Sequence, residues 1–109
     1  LRPSVVLQCT SAYPGPWTDV NLRVMDSYRA AFGVTVGLSD HTEGIIAPIV
    51  AAANGAEVIE KHLTYDTQAV GPDHAASLAP YEFHAMVTAV RGVGDMMGDG
   101  YKRVMESER

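Results

Sequence analysis

The stretch VGLSDHTEG, Val36–Gly44, ends an apolar run with three successive polar residues, Ser39, Asp40 and His41, and a helix-like segment follows at once. Twenty-one residues after His41, the stretch EVIEKHLT, Glu57–Thr64, closes a second apolar run in the same way, with Glu60, Lys61 and His62. In parallel α/β folds the ligand site lies at the carboxyl ends of the strands. Polar residues gathered at such ends therefore read as the wall of a pocket.

Working outward from these stretches, the chain repeats one plan three times. Ser4–Ser11, SVVLQCTS, is β-branched and apolar and predicts a buried strand. Ala12–Trp17 carries two prolines and a glycine and predicts a loop. A helix is expected from a cap at Thr18 or Asp19 to a stop at Gly33, with Val20, Val24, Tyr28 and Phe32 on its apolar face. Val34–Asp40 is the second strand. A helix over Thr42–Gly55 contains Pro48, which weakens its first half or moves its start towards the proline. Ala56–Thr64 is the third strand, and a polar loop, Tyr65–Ser77, follows it. The last helix is expected over Pro80–Met97, with Phe83, Val87 and Val90 on one side and Gly98 at its end. The remaining DGYKRVMESER is a tail without a clear partner.

Strand and helix in alternation call for a parallel sheet with crossover helices. The strands are apolar at nearly every position, as expected where both sheet faces are covered. Three units cannot close a barrel of eight. They could form a small open sheet, but that would expose a large apolar area, so the chain is expected to be the last part of something larger.

Composition narrows the function classes. With 109 residues the chain suits one small domain, and 47% hydrophobic against 19% charged residues suits a packed one. A net charge of −5 without a basic run argues against nucleic acid or an anionic membrane as partner. The single cysteine, Cys9, rules out an internal disulfide and points to a reducing, cytoplasmic setting. Its apolar neighbours predict a buried small hydrophobe rather than a nucleophile. No segment is long and apolar enough to span a membrane, and the N-terminus does not have the pattern of a signal peptide.

The period of two along a strand predicts which polar residues share a face. Cys9, Ser11 and Tyr13 fall together, as do Gly37, Ser39 and His41, and Val58, Glu60 and His62. On adjacent parallel strands about 5 Å apart, two imidazoles could share one divalent metal. The alternative is that each is a lone polar residue hydrogen-bonded to a neighbour. Lys61 has the opposite parity and is expected to contact the helix layer or solvent. In the loop segment VGPDHAAS, Val70–Ser77, Asp73 could bind substrate hydroxyls or merely form a turn, and His74 could approach the site. His84 falls on the solvent side of the last helix.

The segments CTSAYP, DVNLR, AFGVTVGLSDHTEGI, GAEVIEKHLT, GPDHAASLAP and GDGYKR resemble the sialic acid synthase family (N-acetylneuraminate synthase and its relatives) in order and spacing, over almost the whole chain. The resemblance implies a (β/α)8 TIM barrel with parallel strands, of which residues 1–109 would be the last three βα units, strands six to eight. It implies condensation of phosphoenolpyruvate with a sugar aldehyde of the N-acetylmannosamine type, assisted by a divalent metal, Mn2+ or Mg2+. On the matching positions it implies His41 and His62 as metal ligands, Glu60 as the catalytic carboxylate, Ser39 and Ser11 as phosphoenolpyruvate contacts, and Tyr13 and Asp73 as sugar contacts. Ser11 is a shorter donor than the Asn often found at that place in the family. The resemblance further implies a homodimer and a C-terminal antifreeze-like domain that this sequence lacks; without over half of the barrel wall and the opposing phosphate clamp, the segment alone is expected to be inactive. The reading from another class is a non-catalytic α/β fragment or interaction module that keeps the fold. A metal-dependent barrel hydrolase would want further ligands on the first strand, and VVLQCTS supplies none.

Overall fold

The structure, a computed structural model, describes residues 4–109. Three strands form one parallel sheet in the order β1-β2-β3: β1 is Val5–Cys9, β2 is Thr35–Asp40 and β3 is Val58–Lys61. Helix α1, Val24–Phe32, connects β1 to β2, and α2, Ile46–Ala53, connects β2 to β3. Helix α3, Pro80–Met97, follows β3 and packs against α2. The register runs from Val5↔Thr35 to Cys9↔Ser39 on one side of β2, and from Gly37↔Val58 to Asp40↔Lys61 on the other.

The order of elements follows the sequence, with α1 and α2 starting later than the expected helices and β3, Val58–Lys61, shorter than the expected Ala56–Thr64. Helix α1 begins at Val24 instead of near Thr18, because the segment before it folds as a 3-10 turn at Trp17–Asp19 and a further turn at Asn21, which has a positive φ of 51°. Its buried face is accordingly set by Met25, fully enclosed, with Leu22 and Tyr28 beside it, while Phe32 is exposed. Gly33 ends the helix in the left-handed conformation, φ 60°, and its N–H donates to the Arg29 carbonyl. Helix α2 starts at Ile46, which puts Pro48 in the first turn, where no intrahelical donor is lost. Helix α3 has the bounds its sequence predicts. Glu82 reaches back to accept from the Ala79 N–H, and the buried face carries Met86 and Val93 as well as the half-buried Phe83, Val87 and Val90.

The core lies on one side of the sheet only. Val20, Met25, Val36, Leu38, Ala47 and Ala51 are packed between the sheet and helices α1 and α2. Gln8, pointing into this layer, ties it together: its Nε2 donates to the Val20 carbonyl at 2.9 Å, and Tyr28 Oη donates to its Oε1 at 3.2 Å. The other sheet face is not covered. Val5, Cys9, Val58 and Glu60 on that face are all exposed. Coverage of both faces, expected from the apolar strands, is thus not met within this chain. The radius of gyration is 16.0 Å, against about 13 Å for a compact domain of this length. The chain is an arc of sheet backed by helices. Beyond α3 the tail is exposed, and Arg103 bonds Asp99 and holds its carboxyl below the usual carboxylate range.

A buried ion pair closes the helix-facing side of the sheet at its carboxyl end. Lys61 Nζ lies 2.8 Å from Asp40 Oδ2, with side-chain exposures of 0% and 1%. Lys61 therefore contacts the helix layer, one of the two places its parity allows. Asp40 also accepts from the Thr42 N–H at 3.1 Å and from the Thr42 hydroxyl, and Lys61 Nζ donates to the Thr42 carbonyl. Removing one member leaves an unpaired charge in the interior. Lys61→Ala in the full-length protein should lower stability by about 3–5 kcal/mol. Equilibrium denaturation checks this, and an unchanged midpoint would contradict it.

Candidate functional site

The carboxyl ends of the three strands meet on the open face. Beyond the last paired rung, Asp40↔Lys61, the chain reaches His41 and His62 side by side. Their ring centroids are 5.3 Å apart, with the planes at 68°. Tyr13 comes back from the loop after β1 to sit against both. Its ring lies 4.3 Å from that of His41 and 5.9 Å from that of His62. Two residues earlier, on the same face, Ser39 Oγ donates to Glu60 Oε1 at 2.6 Å, the length of a charge-assisted bond. The period of two thus puts Ser39, His41, Glu60 and His62 on one face, and the loop after β1 adds Tyr13 to the group.

His41 is the most constrained of the five. It is 7% exposed, and its Nδ1 lies 3.0 Å from the Thr10 carbonyl. A carbonyl only accepts, so Nδ1 carries the proton and the lone pair is on Nε2. The Gly15 N–H donates to the His41 carbonyl at 2.9 Å and so pins the loop 12–16 over the strand end. Cys9 Sγ stands 3.8 Å from the same Nδ1. Cys9 is exposed and not the buried hydrophobe its apolar run predicts. Its side chain points to the uncovered face, where this chain supplies no second layer.

Two imidazoles at this separation fit a shared divalent cation as two of its ligands. Metal–nitrogen bonds of about 2.1 Å on each side, added to the ring radii, span centroids 5.3 Å apart. A backbone carbonyl that orients the remaining ring nitrogen is the usual support for a histidine ligand. Among the described residues no third His, Cys, Asp or Glu completes a metal-holding group with them.

Ser11 and Asp73 are not drawn into the group. Both are exposed, and among the described residues no hydrogen bond or ring contact joins either side chain to it. The loop carrying Asp73 is nonetheless anchored. Leu63 and Leu78 pair as an isolated parallel bridge, Ser77 Oγ donates to the Asp73 carbonyl, and Thr64 Oγ1 lies 2.7 Å from His74 Nδ1. His74 packs near Tyr65 instead of reaching the histidine pair. His84 is exposed on α3, as its position predicts.

The sequence reading passed over two sets of supporting groups. The Thr10 carbonyl and the Gly15 amide are backbone atoms and leave no residue-type signal. The Asp40–Lys61 pair did leave one: two opposite charges 21 residues apart in apolar strands, at the same spacing as the histidines.

Residues 2–102 match the model of the NeuB family. The chain is 48% identical over 104 residues, 95% of its length, to an N,N'-diacetyllegionaminic acid synthase of Campylobacter jejuni, and covers 31% of that protein. It is 44% identical over 103 residues, 94% of its length, to the N-acetylneuraminate-9-phosphate synthase of Homo sapiens, covering 29% of it. The chain thus spans about a third of the length of these curated relatives. A crystal structure of an N-acetylneuraminic acid (sialic acid) synthetase from Leptospira borgpetersenii in complex with citrate superposes with a TM-score of 0.83 at 36% identity, covering 95% of this chain and 36% of that one.

The hydrogen-bond partners predict one protonation pattern. In the metal-free protein, neutral His41 should carry its proton on Nδ1, read from long-range proton–nitrogen correlations of the imidazole. A pattern with the proton on Nε2 would contradict the Thr10 contact.

Proposed function

Since this chain belongs to the NeuB family, we propose that it contributes part of the active site of a synthase that condenses phosphoenolpyruvate with an N-acetylmannosamine-type sugar aldehyde, giving a nonulosonic acid and phosphate. In this reading residues 1–109 are strands six to eight, with their helices, of a (β/α)8 barrel, and the uncovered sheet face looks into the barrel. The whole protein works in the cytoplasm as a homodimer. The observation that carries the proposal is the meeting of His41, His62 and Tyr13 beside the Ser39–Glu60 pair, at the carboxyl ends of three parallel strands. The exposure of Val5 and Val58 on the same face supports the barrel.

His41 and His62 would hold the divalent metal, Mn2+ or Mg2+, through nitrogens not engaged by the backbone. When bound, such a cation supplies Lewis-acid polarisation of the aldehyde oxygen. The residues of this chain then have separable tasks. Tyr13 lies against both rings and forms a wall for the sugar, whose far hydroxyls are left to Asp73 on the anchored loop. Ser11 offers its hydroxyl to phosphoenolpyruvate, and Ser39 turns to it the proton that goes to Glu60 in the free protein.

Glu60 handles the proton. In the free protein its Oε1 accepts from Ser39, and the carboxylate acts as the base once that hydroxyl turns to phosphoenolpyruvate. The methylene carbon of phosphoenolpyruvate bonds to the aldehyde carbon, whose oxygen takes up a proton. Positive charge develops at the enol carbon. Water adds there and passes one proton through Glu60 to the aldehyde-derived oxygen, and its second proton leaves with phosphate as the C–O bond breaks and the ketone forms.

Phosphate release by the full-length protein, assayed with candidate sugar aldehydes, tests the reading. Glu60→Gln should lower kcat by about 10²–10⁴-fold while leaving manganese binding intact. His62→Ala should abolish manganese binding and activity together. A Glu60→Gln protein with wild-type turnover would remove the carboxylate from the mechanism. A His62→Ala protein with unaltered manganese affinity would remove the metal site.

A further inference from the structure

We propose that Asp40, Thr42 and Lys61 are positioning residues that set the separation of the two histidine rings from the opposite side of the sheet. This rests on the reading of His41 and His62 as cation ligands.

The argument starts from where the backbone ladder stops. The last paired rung is Asp40↔Lys61, and both histidines lie one residue beyond it. Strand ends beyond a ladder are free to splay. Here the side chains of that last rung take over. The Lys61 ammonium lies 2.8 Å from the Asp40 carboxylate and also donates to the Thr42 carbonyl. It thus grips the residue before His41 and the residue after it. Asp40 accepts from both the N–H and the hydroxyl of Thr42, which closes a tight turn around His41. Lys61 itself immediately precedes His62. A shift of one strand end, and of the backbone that carries its ring, relative to the other therefore has to break this network.

Placement separates the role from simple stabilisation. Asp40, Thr42 and Lys61 are 2%, 2% and 8% exposed, so the network does not yield to water. Because successive side chains alternate across a strand, none of the three enters the open face or touches a ligand there. They act only through the backbone at residues 40–42 and 61–62. A pair that merely stabilised the sheet could occupy any rung. This one occupies the rung that carries the two imidazoles.

The test is titration of the metal-free full-length protein with manganese chloride alone, followed by calorimetry and by the electron paramagnetic resonance of the bound ion. Asp40→Asn combined with Lys61→Met removes both charges and leaves neither unpaired, a change that buried pairs often tolerate. The double variant should keep the wild-type circular dichroism and melting midpoint. It should bind manganese about 10–100-fold more weakly and give an altered resonance spectrum. His41→Ala, run beside it, should lose binding altogether.

A double variant that folds as the wild type does and binds manganese as tightly overturns the positioning role and leaves the metal site standing. Unaltered binding in His41→Ala overturns both. Should the double variant not fold, Thr42→Val against Thr42→Ser carries the same test, since valine keeps the shape of threonine without its hydroxyl and serine keeps the hydroxyl without the methyl. Weaker binding by the valine variant alone supports the role, and equal binding by the two overturns it.

Discussion

The parallel register between β2 and β3 is the constraint on which the rest of the molecule depends. It makes every pair of residues 21 apart at these strand ends into neighbours: Ser39 with Glu60, and Asp40 with Lys61. Alternation across the strand then sends the first pair to the open face and the second into the helix layer. His41 and His62 continue the first series one step beyond the ladder. A slip of one residue would exchange the faces. It would bury Glu60 without a partner and turn the Lys61 ammonium outwards. The cost of such burial is what holds the register, and with it the site.

The two faces of the sheet divide stability from chemistry. The helix-facing side holds the apolar cluster around Met25 and Leu38, the Gln8–Tyr28 tie and the buried ion pair. The other side holds exposed Glu60 and Cys9 and half-buried His62, with only small or polar side chains on β2. Gly37 fits this division. A Cβ there would lie 2.2 Å from the Val58 carbonyl oxygen and 2.8 Å from Leu7 Cδ2. A side chain at that position would have to push β3 away from β2, which is the contact the histidine pair requires.

Loops complete the site by being tied to strand ends, not by packing of their own. The loop after β1 is fixed by the Gly15 amide on the His41 carbonyl, and this brings Tyr13 to the two rings. The loop after β3 is fixed by the Leu78 amide on the His62 carbonyl and by the Thr64–His74 contact. Each histidine thus presents its ring to the open face while its carbonyl holds the neighbouring loop. The carbonyl at each strand end is engaged, and both rings stay together on the open face.

The sequence by itself determined the order of strands and helices, the parallel sheet, the end of α1 at Gly33 and the full extent of α3. These follow from local signals: runs of β-branched residues, glycine stops and a proline start. It also determined which of Ser39, His41, Glu60 and His62 share a face, because a period of two needs no knowledge of contacts. Only the tertiary structure decided that the helix after the first loop starts late, that Cys9 is exposed, and that Ser11 and Asp73 stand apart from the group. It alone showed that Asp40, Thr42 and Lys61 close a buried network behind the histidines. These are consequences of which atoms meet across elements distant in the chain. That depends on register, on the path of the loops and on which sheet face the helices cover, and no single segment of the sequence encodes any of the three.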